Sequence, residues 1–504
     1  MGVIQRQGIK DSIVTYFGVA LGAVNTLFIY PACLRDEELG LFQFLVSWAM
    51  IISPFVLLGA TNLVVRYFPV FRDDAKKHNG FLFLMLALTL SGFAVFALVA
   101  WLGGENLINY FNKNNQQPYI RQFFYYIVPL TLFVALNVLF INYIKNFLRI
   151  VIPTFFENVF VKVGTAILSI LLFLEIINLV GFINGIVLVY ALVTLALIGY
   201  TYWLGQLHLK PDFSFLKKPL RREMSVFAFY GVLGSVSGGL MFYIDKAMIP
   251  LLIEGGWAAN GIFAIVGYMG TAIDIPRKSL EKITAPVVAH SIQTNDWDNI
   301  RKLYHKSSIN QLIAGCLLFL GIWLNLESFF DIMPEGDTYR PWKMIVLTLG
   351  ISGIVDMATG INSQIIAYSK YFRFNFYLVL VLAVLNVAFN FLFIKTFGLN
   401  IYGAALATLT STTIYNIIKY WFIFAKLKMQ PFTWRTLWIV LLSLAIYFLV
   451  SFFPKLTNPF LDIVIRSVLI VLLYVPVILY FRFSPDLNNL WTATLNRAKK
   501  WLKI

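Results

Sequence analysis

Charge is what this sequence has least of. Only 13% of its 504 residues are Asp, Glu, Lys or Arg, 59% are hydrophobic, and the mean hydropathy is +0.77. Soluble domains carry about 25% charged residues, so a water-soluble enzyme of this length is excluded and a polytopic membrane protein is left. Cysteine is scarce as well. Cys33 and Cys316 lie in separate apolar segments without metal-ligand spacing, which speaks against a disulfide framework and a zinc site. The four histidines, His78, His208, His290 and His305, are widely separated, and none stands in a His-Glu-x-x-His pattern. There is no Walker lysine loop. The one candidate for an outer-face catalytic loop, Gly103 to Ile120, has a single carboxylate, Glu105. A membrane polymerase, ligase or acyltransferase needs a nucleophile, a base or an activating cluster. The sequence shows none, so no cofactor, no metal and no ATP hydrolysis are expected.

What it has in abundance is long apolar runs. A bilayer span takes about 20 such residues. Hydropathy places six spans near residues 11–32, 42–65, 80–102, 122–144, 151–174 and 181–205. After a basic loop, Lys210 to Arg222, six more follow near 225–253, 260–283, 307–328, 341–367, 374–396 and 400–425, and a last pair near 435–453 and 459–481. The first run, Ile13 to Pro31, is too long for the apolar core of a signal peptide and is read as a span.

The net charge is +16. Such an excess suits nucleic acid, an anionic membrane surface or an anionic substrate. With fourteen spans and both termini on one side, 30 basic residues fall on that side and seven on the other. The skew marks the cytoplasmic side and accounts for most of the charge, so no nucleic-acid partner is expected. That count places the group from Lys419 to Arg435 among the cytoplasmic cations.

Spans 1–6 and 7–12 resemble two copies of one unit. Tyr16-Phe17-Gly18-Val19 matches Phe229-Tyr230-Gly231-Val232, Gly40-Leu41-Phe42 matches Gly261-Ile262-Phe263, and Tyr202-Trp203 matches Tyr420-Trp421. Six spans per copy give both copies the same topology, as in transporters whose binding site lies between the repeats near the midplane. The expected domains are an N-lobe (1–224), a C-lobe (225–430) and a final pair of spans with a tail (431–504).

Several segments resemble the polysaccharide transporter family of bacterial flippases, within the multidrug, oligosaccharidyl-lipid and polysaccharide exporter superfamily. They are Ile4-Gln5-Arg6-Gln7-Gly8-Ile9-Lys10, Asn62-Leu63-Val64-Val65-Arg66-Tyr67-Phe68-Pro69, Tyr243-Ile244-Asp245-Lys246, Gly360-Ile361-Asn362 and Asn400-Ile401-Tyr402-Gly403-Ala404-Ala405-Leu406-Ala407. The resemblance implies an all-α fold of about 14 transmembrane helices, as two six-helix bundles in a V shape plus two C-terminal helices. It also implies a flippase that moves undecaprenyl-pyrophosphate-linked oligosaccharide between leaflets of the bacterial cytoplasmic membrane by alternating access. Its partners would then be that lipid-linked oligosaccharide, membrane lipids and other polysaccharide-assembly proteins. The alternatives are an ion-coupled multidrug or cation exporter and a membrane polymerase, ligase or acyltransferase.

Charges inside spans mark the candidate site, because a charge at the bilayer centre costs about 2.5–3.5 kcal/mol on insertion scales. Lys162 lies near the middle of span 5. It is read as a cavity cation for a phosphate or acidic sugar, or as the structural partner of Glu157 or Asp356. Span 8 closes on Asp274, Arg277, Lys278, Glu281 and Lys282 after only twelve apolar residues, which puts charged turns at hydrocarbon depth facing a vestibule, or else on a solvated helix end. Arg277 suits pyrophosphate because its planar fork donates two parallel hydrogen bonds. Asp245 and Lys246 sit near the end of span 7, and Arg66 ends span 2, at the cavity mouth or among lipid headgroups. Lys162, Arg277, Lys278, Lys246 and Arg66 are thus the candidate substrate-binding cations. Asp245, Asp274, Asp356 and Glu157 are the candidate coupling or gating groups, for a proton, a sodium ion or the membrane potential. Asp462 and Arg466, four residues apart in span 14, are read as a structural pair.

Overall fold

In hydrocarbon a chain satisfies its backbone only within helices or a closed barrel. The computed structural model describes residues 3–73, 77–115, 118–211, 218–235 and 240–501, and every regular element among them is helical. Eleven helices among these residues are long and apolar enough to cross a membrane. The number is twelve if Gly256–Thr271 and Asp274–Gln293, bent by 59° at their junction, form one broken span. Two of the fourteen expected spans fall outside this set. The one near 225–253 runs across residues 236–239, outside the described residues, as does part of the basic loop at 212–217. The one near 400–425 is a single helix whose middle is polar, with Thr412, Asn416 and Lys419 buried in it.

The chain divides into two compact units, Met1–Ala264 and Ile265–Ile504. In the first, α1 (Val3–Val24) passes through a π-helical turn, Asn25–Ile29, into Tyr30–Cys33. Three acidic residues, Asp36, Glu37 and Glu38, open α2 (Asp36–Val56), where negative charge suits the helix dipole. Span 2 is not continuous as expected. Leu58 (φ 46°) and Gly59 (φ 80°) turn left-handed, which ends α2 and starts α3 (Ala60–Phe71). Next comes α4 (Phe81–Asn115), a 35-residue helix that includes residues 103–115, expected as a loop. After α5 (Ile127–Lys145), the chain enters α6 (Val161–Phe173) through Val151–Phe155 and a second π-helical turn, Phe156–Phe160. The unit closes with α7 (Leu179–Trp203), α8 (Lys218–Ser235), α9 (Leu240–Leu252) and the first part of α10 (Gly256–Thr271).

The helix α2 packs on α5 and α9, and α7 packs on α5 and α6. Polar side chains tie them: the Thr194 hydroxyl donates to Asn137 Oδ1 at 2.7 Å, and Asn137 Nδ2 donates to the Tyr190 carbonyl at 3.2 Å. Small residues set the closest approach. A Cβ on Gly40 would collide with the Trp257 carbonyl, and one on Gly261 with the Asp36 carbonyl. Each glycine therefore meets the residue four positions before the other, as a local two-fold relation between α2 and α10 requires. This is the pair of segments that the repeat matches. Asn260 Nδ2 seals the crossing with a 2.8 Å bond to the Gly40 carbonyl.

The second unit is organised around α12 (Trp297–Ile332), which follows α11 (Asp274–Gln293). At 1.5 Å per residue it is about 54 Å long, longer than a hydrocarbon core. Its first turns, with Asp298, Arg301, Lys302 and Lys306, are the polar part. Behind it come α13 (Lys343–Ala358), α14 (Asn362–Tyr368), α15 (Phe372–Asn390), α16 (Asn400–Leu427), α17 (Trp434–Ser451), α18 (Pro459–Tyr480) and α19 (Pro485–Trp501). The final two spanning helices, α17 and α18, dock on α12. Arg466 Nε meets Asp462 Oδ2 at 2.8 Å, Ser328 on α12 donates to the same oxygen at 2.6 Å, and Arg466 also donates to the Val450 and Phe453 carbonyls. The expected structural pair is thus a three-helix tie.

Candidate functional site

In the first unit the central residue is Lys162, at the start of α6. Gly18-Val19-Ala20-Leu21-Gly22 gives α1 a small-xxx-small face that lets another helix approach closely. A Cβ on Gly18 would lie 2.8 Å from Asn158 Cβ, and one on Gly22 would lie 2.9 Å from Lys162 Nζ. The ammonium runs along this face and donates to the Gly18 carbonyl at 2.7 Å. The π-helical turns on both helices disturb the regular carbonyl ladder here. Asn25 Nδ2 and the Thr165 hydroxyl donate to the Lys162 carbonyl at 2.7 and 3.1 Å, and the buried Tyr30 hydroxyl meets Thr165 Oγ1 at 3.0 Å. No carboxylate among the described residues forms an ion pair with Lys162. Of the two partners considered from sequence, Glu157 pairs with Lys145 at 3.5 Å and Asp356 with Arg277 at 3.2 Å. The structural-pair alternative for Lys162 is therefore corrected: its partner is a backbone dipole, reached because two glycines remove the side chains between.

On α9, Asp245 and Lys246 are both buried, and Lys246 Nζ donates to Gln43 Oε1 on α2 at 3.1 Å. Arg66, on α3, bonds Glu223 Oε1 on α8 at 3.4 Å, and its guanidinium lies 4.3 Å from the centre of the Phe227 ring. The Tyr67 hydroxyl donates to the same Glu223 oxygen at 2.8 Å. Both side chains of the Arg66–Glu223 pair are more than half exposed.

In the second unit the charges converge. The chain bends before Asp274, and α11 carries Asp274, Arg277 and Glu281, of which Arg277 reaches Asp356 on α13. Arg277 Nη1 lies 2.8 Å from Glu281 Oε1 and 3.2 Å from Asp356 Oδ2, and Arg277 Nε lies 3.6 Å from Asp274 Oδ1. The Arg277 side chain is 19% exposed, so the cluster is not fully enclosed by protein. Lys278 is exposed beside it.

Span 10 is broken where it meets this cluster. Gly360 (φ 60°) separates α13 from α14, and a Cβ there would lie 2.8 Å from Ser307 Oγ and 2.9 Å from Ser308 N. Around the break, Asn416 Nδ2 donates to Asp356 Oδ1 at 3.0 Å, while its Oδ1 accepts from Thr359 Oγ1 and Asn362 Nδ2 at 3.0 and 3.2 Å. One turn further along α16, Lys419 Nζ donates to Ser363 Oγ at 3.0 Å and sits 3.9 Å from the centre of the Tyr415 ring. Lys419 is 1% exposed. Counted from sequence with the cytoplasmic-side cations, it lies inside α16, which runs on to Leu427 and buries it.

Two groupings stand out among these residues, while Glu157, Asp245, Lys246 and Arg66 belong to neither. One is a lone ammonium between α1 and α6. The other is an acid-rich cluster joining α11, α13 and α16, in which Asp274, Glu281 and Asp356 face Arg277 and Lys419. Lys419, Asn416, Glu223 and Gln43 were not among the sequence candidates. For Lys419 a signal existed in its three-residue spacing from Asn416 inside an apolar stretch. For the other three no local pattern points to the partner. Among the described residues no three His, Cys, Asp or Glu side chains are grouped as a metal site would need.

A family model described as "Polysaccharide biosynthesis protein" matches residues 9–273. No curated protein matches. Among solved structures, the lipid II flippase MurJ in an inward closed conformation superposes with a TM-score of 0.73 at 14% identity, over 94% of this chain and 99% of that one. An inward-facing multidrug resistance transporter of the MATE family gives 0.61 at 13% identity, over 80% and 93%. A MATE protein in complex with MaL6 gives 0.56 at 12% identity, over 84% and 96%. At these identities the likeness is one of fold, shared with transporters and flippases.

Proposed function

This chain belongs to the polysaccharide biosynthesis protein family, and from that premise we propose that it is a flippase for a lipid-linked oligosaccharide. The headgroup is an anion, a pyrophosphate on an undecaprenyl-type carrier, which crosses by alternating access while the lipid tail stays in the bilayer. The membrane is the bacterial cytoplasmic membrane, with both termini inside. The observation that carries this reading is Lys162, a half-buried ammonium with a backbone carbonyl for a partner and no carboxylate in ion-pair contact among the described residues. An uncompensated cation in a low-dielectric bundle is costly, and an anionic headgroup supplies the missing charge. A negative cell interior drives each exported negative charge by about 2.3 kcal/mol per 100 mV. Asp245, Asp274, Asp356 and Glu157 are available to couple a proton or sodium ion to the cycle.

The test uses the purified protein in proteoliposomes with a fluorescent polyprenyl-diphosphate saccharide, transfer being read as protection from an aqueous quencher. Lys162→Met keeps the stem and removes the charge, and it should abolish transfer while the protein stays folded. Full transfer by this variant would overturn the role of Lys162. The second reading, a cation exporter of the MATE kind, is favoured by one observation, the three carboxylates around Arg277. Efflux of an organic cation, with no transfer of the diphosphate probe, would establish it instead.

A further inference from the structure

The two ends of Lys162 are held unequally. Its backbone carbonyl takes two donors, Asn25 Nδ2 from the opposite helix at 2.7 Å and the Thr165 hydroxyl from its own at 3.1 Å. Thr165 is met in turn by the buried Tyr30 hydroxyl at 3.0 Å, and Asn25 is 1% exposed. The root of the side chain is therefore fixed. The ammonium at the far end carries three donors. Among the described residues it makes one hydrogen bond, to the Gly18 carbonyl at 2.7 Å.

The two glycines under it do different things. A Cβ on Gly18 would lie 2.8 Å from both the Cβ and the carbonyl oxygen of Asn158, so Gly18 sets how closely the helices approach. Around a Cβ on Gly22 the three nearest atoms all belong to Lys162: Nζ at 2.9 Å, Cε at 3.2 Å and Cδ at 3.5 Å. The place of the missing methyl is taken by the end of a flexible side chain, not by the facing backbone. Gly22 makes a berth for the ammonium.

We propose that Lys162 rests in this berth between turnovers, leaves the Gly18 carbonyl to meet the anionic headgroup, and returns to it as the headgroup departs. The inference rests on the reading of Lys162 as the cation that meets that headgroup. Phosphate oxygens are charged acceptors and a backbone carbonyl is a neutral one, and a hydrogen bond charged on both sides is the stronger. A headgroup within reach therefore takes the ammonium from the carbonyl. The docked form does not bind, so its population weakens the apparent affinity, and the same bond helps release when it re-forms. Gly22 is thus a positioning residue that touches the lysine and sets affinity against turnover.

The experiment uses the full chain with Gly22→Ala, Lys162→Ala and the double variant. Binding of a fluorescent polyprenyl-diphosphate saccharide is read by anisotropy in detergent, and its transfer in proteoliposomes at saturating probe. Gly22→Ala fills the berth and keeps the charge. It should bind about ten-fold more tightly than wild type, the effect of one hydrogen bond no longer given up, and its maximal transfer rate should fall. Lys162→Ala should bind weakly, and the double variant no better, because the gain passes through the ammonium. Wild-type or weaker affinity in Gly22→Ala, beside a weakened Lys162→Ala, would overturn the berth and leave the role of the lysine standing. So would a gain that persists in the double variant, or tighter binding at an unchanged maximal rate. Wild-type binding and transfer by Lys162→Ala would overturn both. Should Gly22→Ala lower the unfolding midpoint, adding Lys162→Ala should restore it, since the lysine atoms are the ones in the way. A midpoint that is not restored would place the collision between the helices and overturn the proposal.

Discussion

Lys162 and Arg277 carry the same charge and live in opposite surroundings. Lys162 has a carbonyl dipole at 2.7 Å and no carboxylate ion pair among the described residues, while Arg277 has three carboxylates within 3.6 Å. An ammonium held only by a dipole is short of negative charge and is open to an anion. A guanidinium among three acids is already over-compensated, so a phosphate must compete with them for it. On the proposed function the two cations do different work: Lys162 meets the anion, and Arg277 ties α11 to α13 through Asp356.

The largest effect should come from removing the centre of the acid-rich cluster. Asp356→Ala leaves Arg277 with two of its three acids, strips Asn416 Nδ2 of its carboxylate acceptor and unties α11 from α13. Leaving buried polar groups without a partner in this way costs about 1–3 kcal/mol, visible as a fall in the unfolding midpoint in detergent. A midpoint within a degree or so of wild type would show that the cluster is not structural, and the contrast with Lys162 would vanish. Lys162→Met should be milder. It deletes one hydrogen bond to a carbonyl, worth about 1 kcal/mol, and breaks no ion pair. The same unfolding assay should therefore register a small change alongside the loss of transfer. A loss as large as that of Asp356→Ala would place a hidden acid beside Lys162. Smallest in stability is Glu281→Gln, which weakens one i,i+4 pair within a single helix, worth about 0.2–0.5 kcal/mol. Its informative readout is binding of inorganic pyrophosphate to the purified protein. Freed from one competitor, Arg277 should bind the anion more tightly. Unchanged or weaker binding would mean that Glu281 does not compete for the guanidinium.

Local relations were legible in the sequence and distant ones were not. Helicity and the membrane setting followed from composition. The Asp462–Arg466 pair and the Arg277–Asp274 contact follow from spacing along one helix, because residues three or four apart share a face. The third acid on Arg277, Asp356, and the carbonyl under Lys162 depend on which helices are neighbours, and hydropathy does not encode that. The breaks at Gly59 and Gly360 were visible only as residues that permit a left-handed backbone, since apolar runs on both sides made each span look continuous. The contacts of Lys419 were hidden for a related reason. Its place near the end of an apolar run does not show that Ser363 and Tyr415 close around it.

The crossing of Gly40 and Gly261 has a consequence for how the sequence can drift. Each glycine clears room for the backbone four residues ahead of the other, so a methyl group added at either place disturbs one shared contact. The two codons, more than two hundred positions apart, are under a single selective constraint.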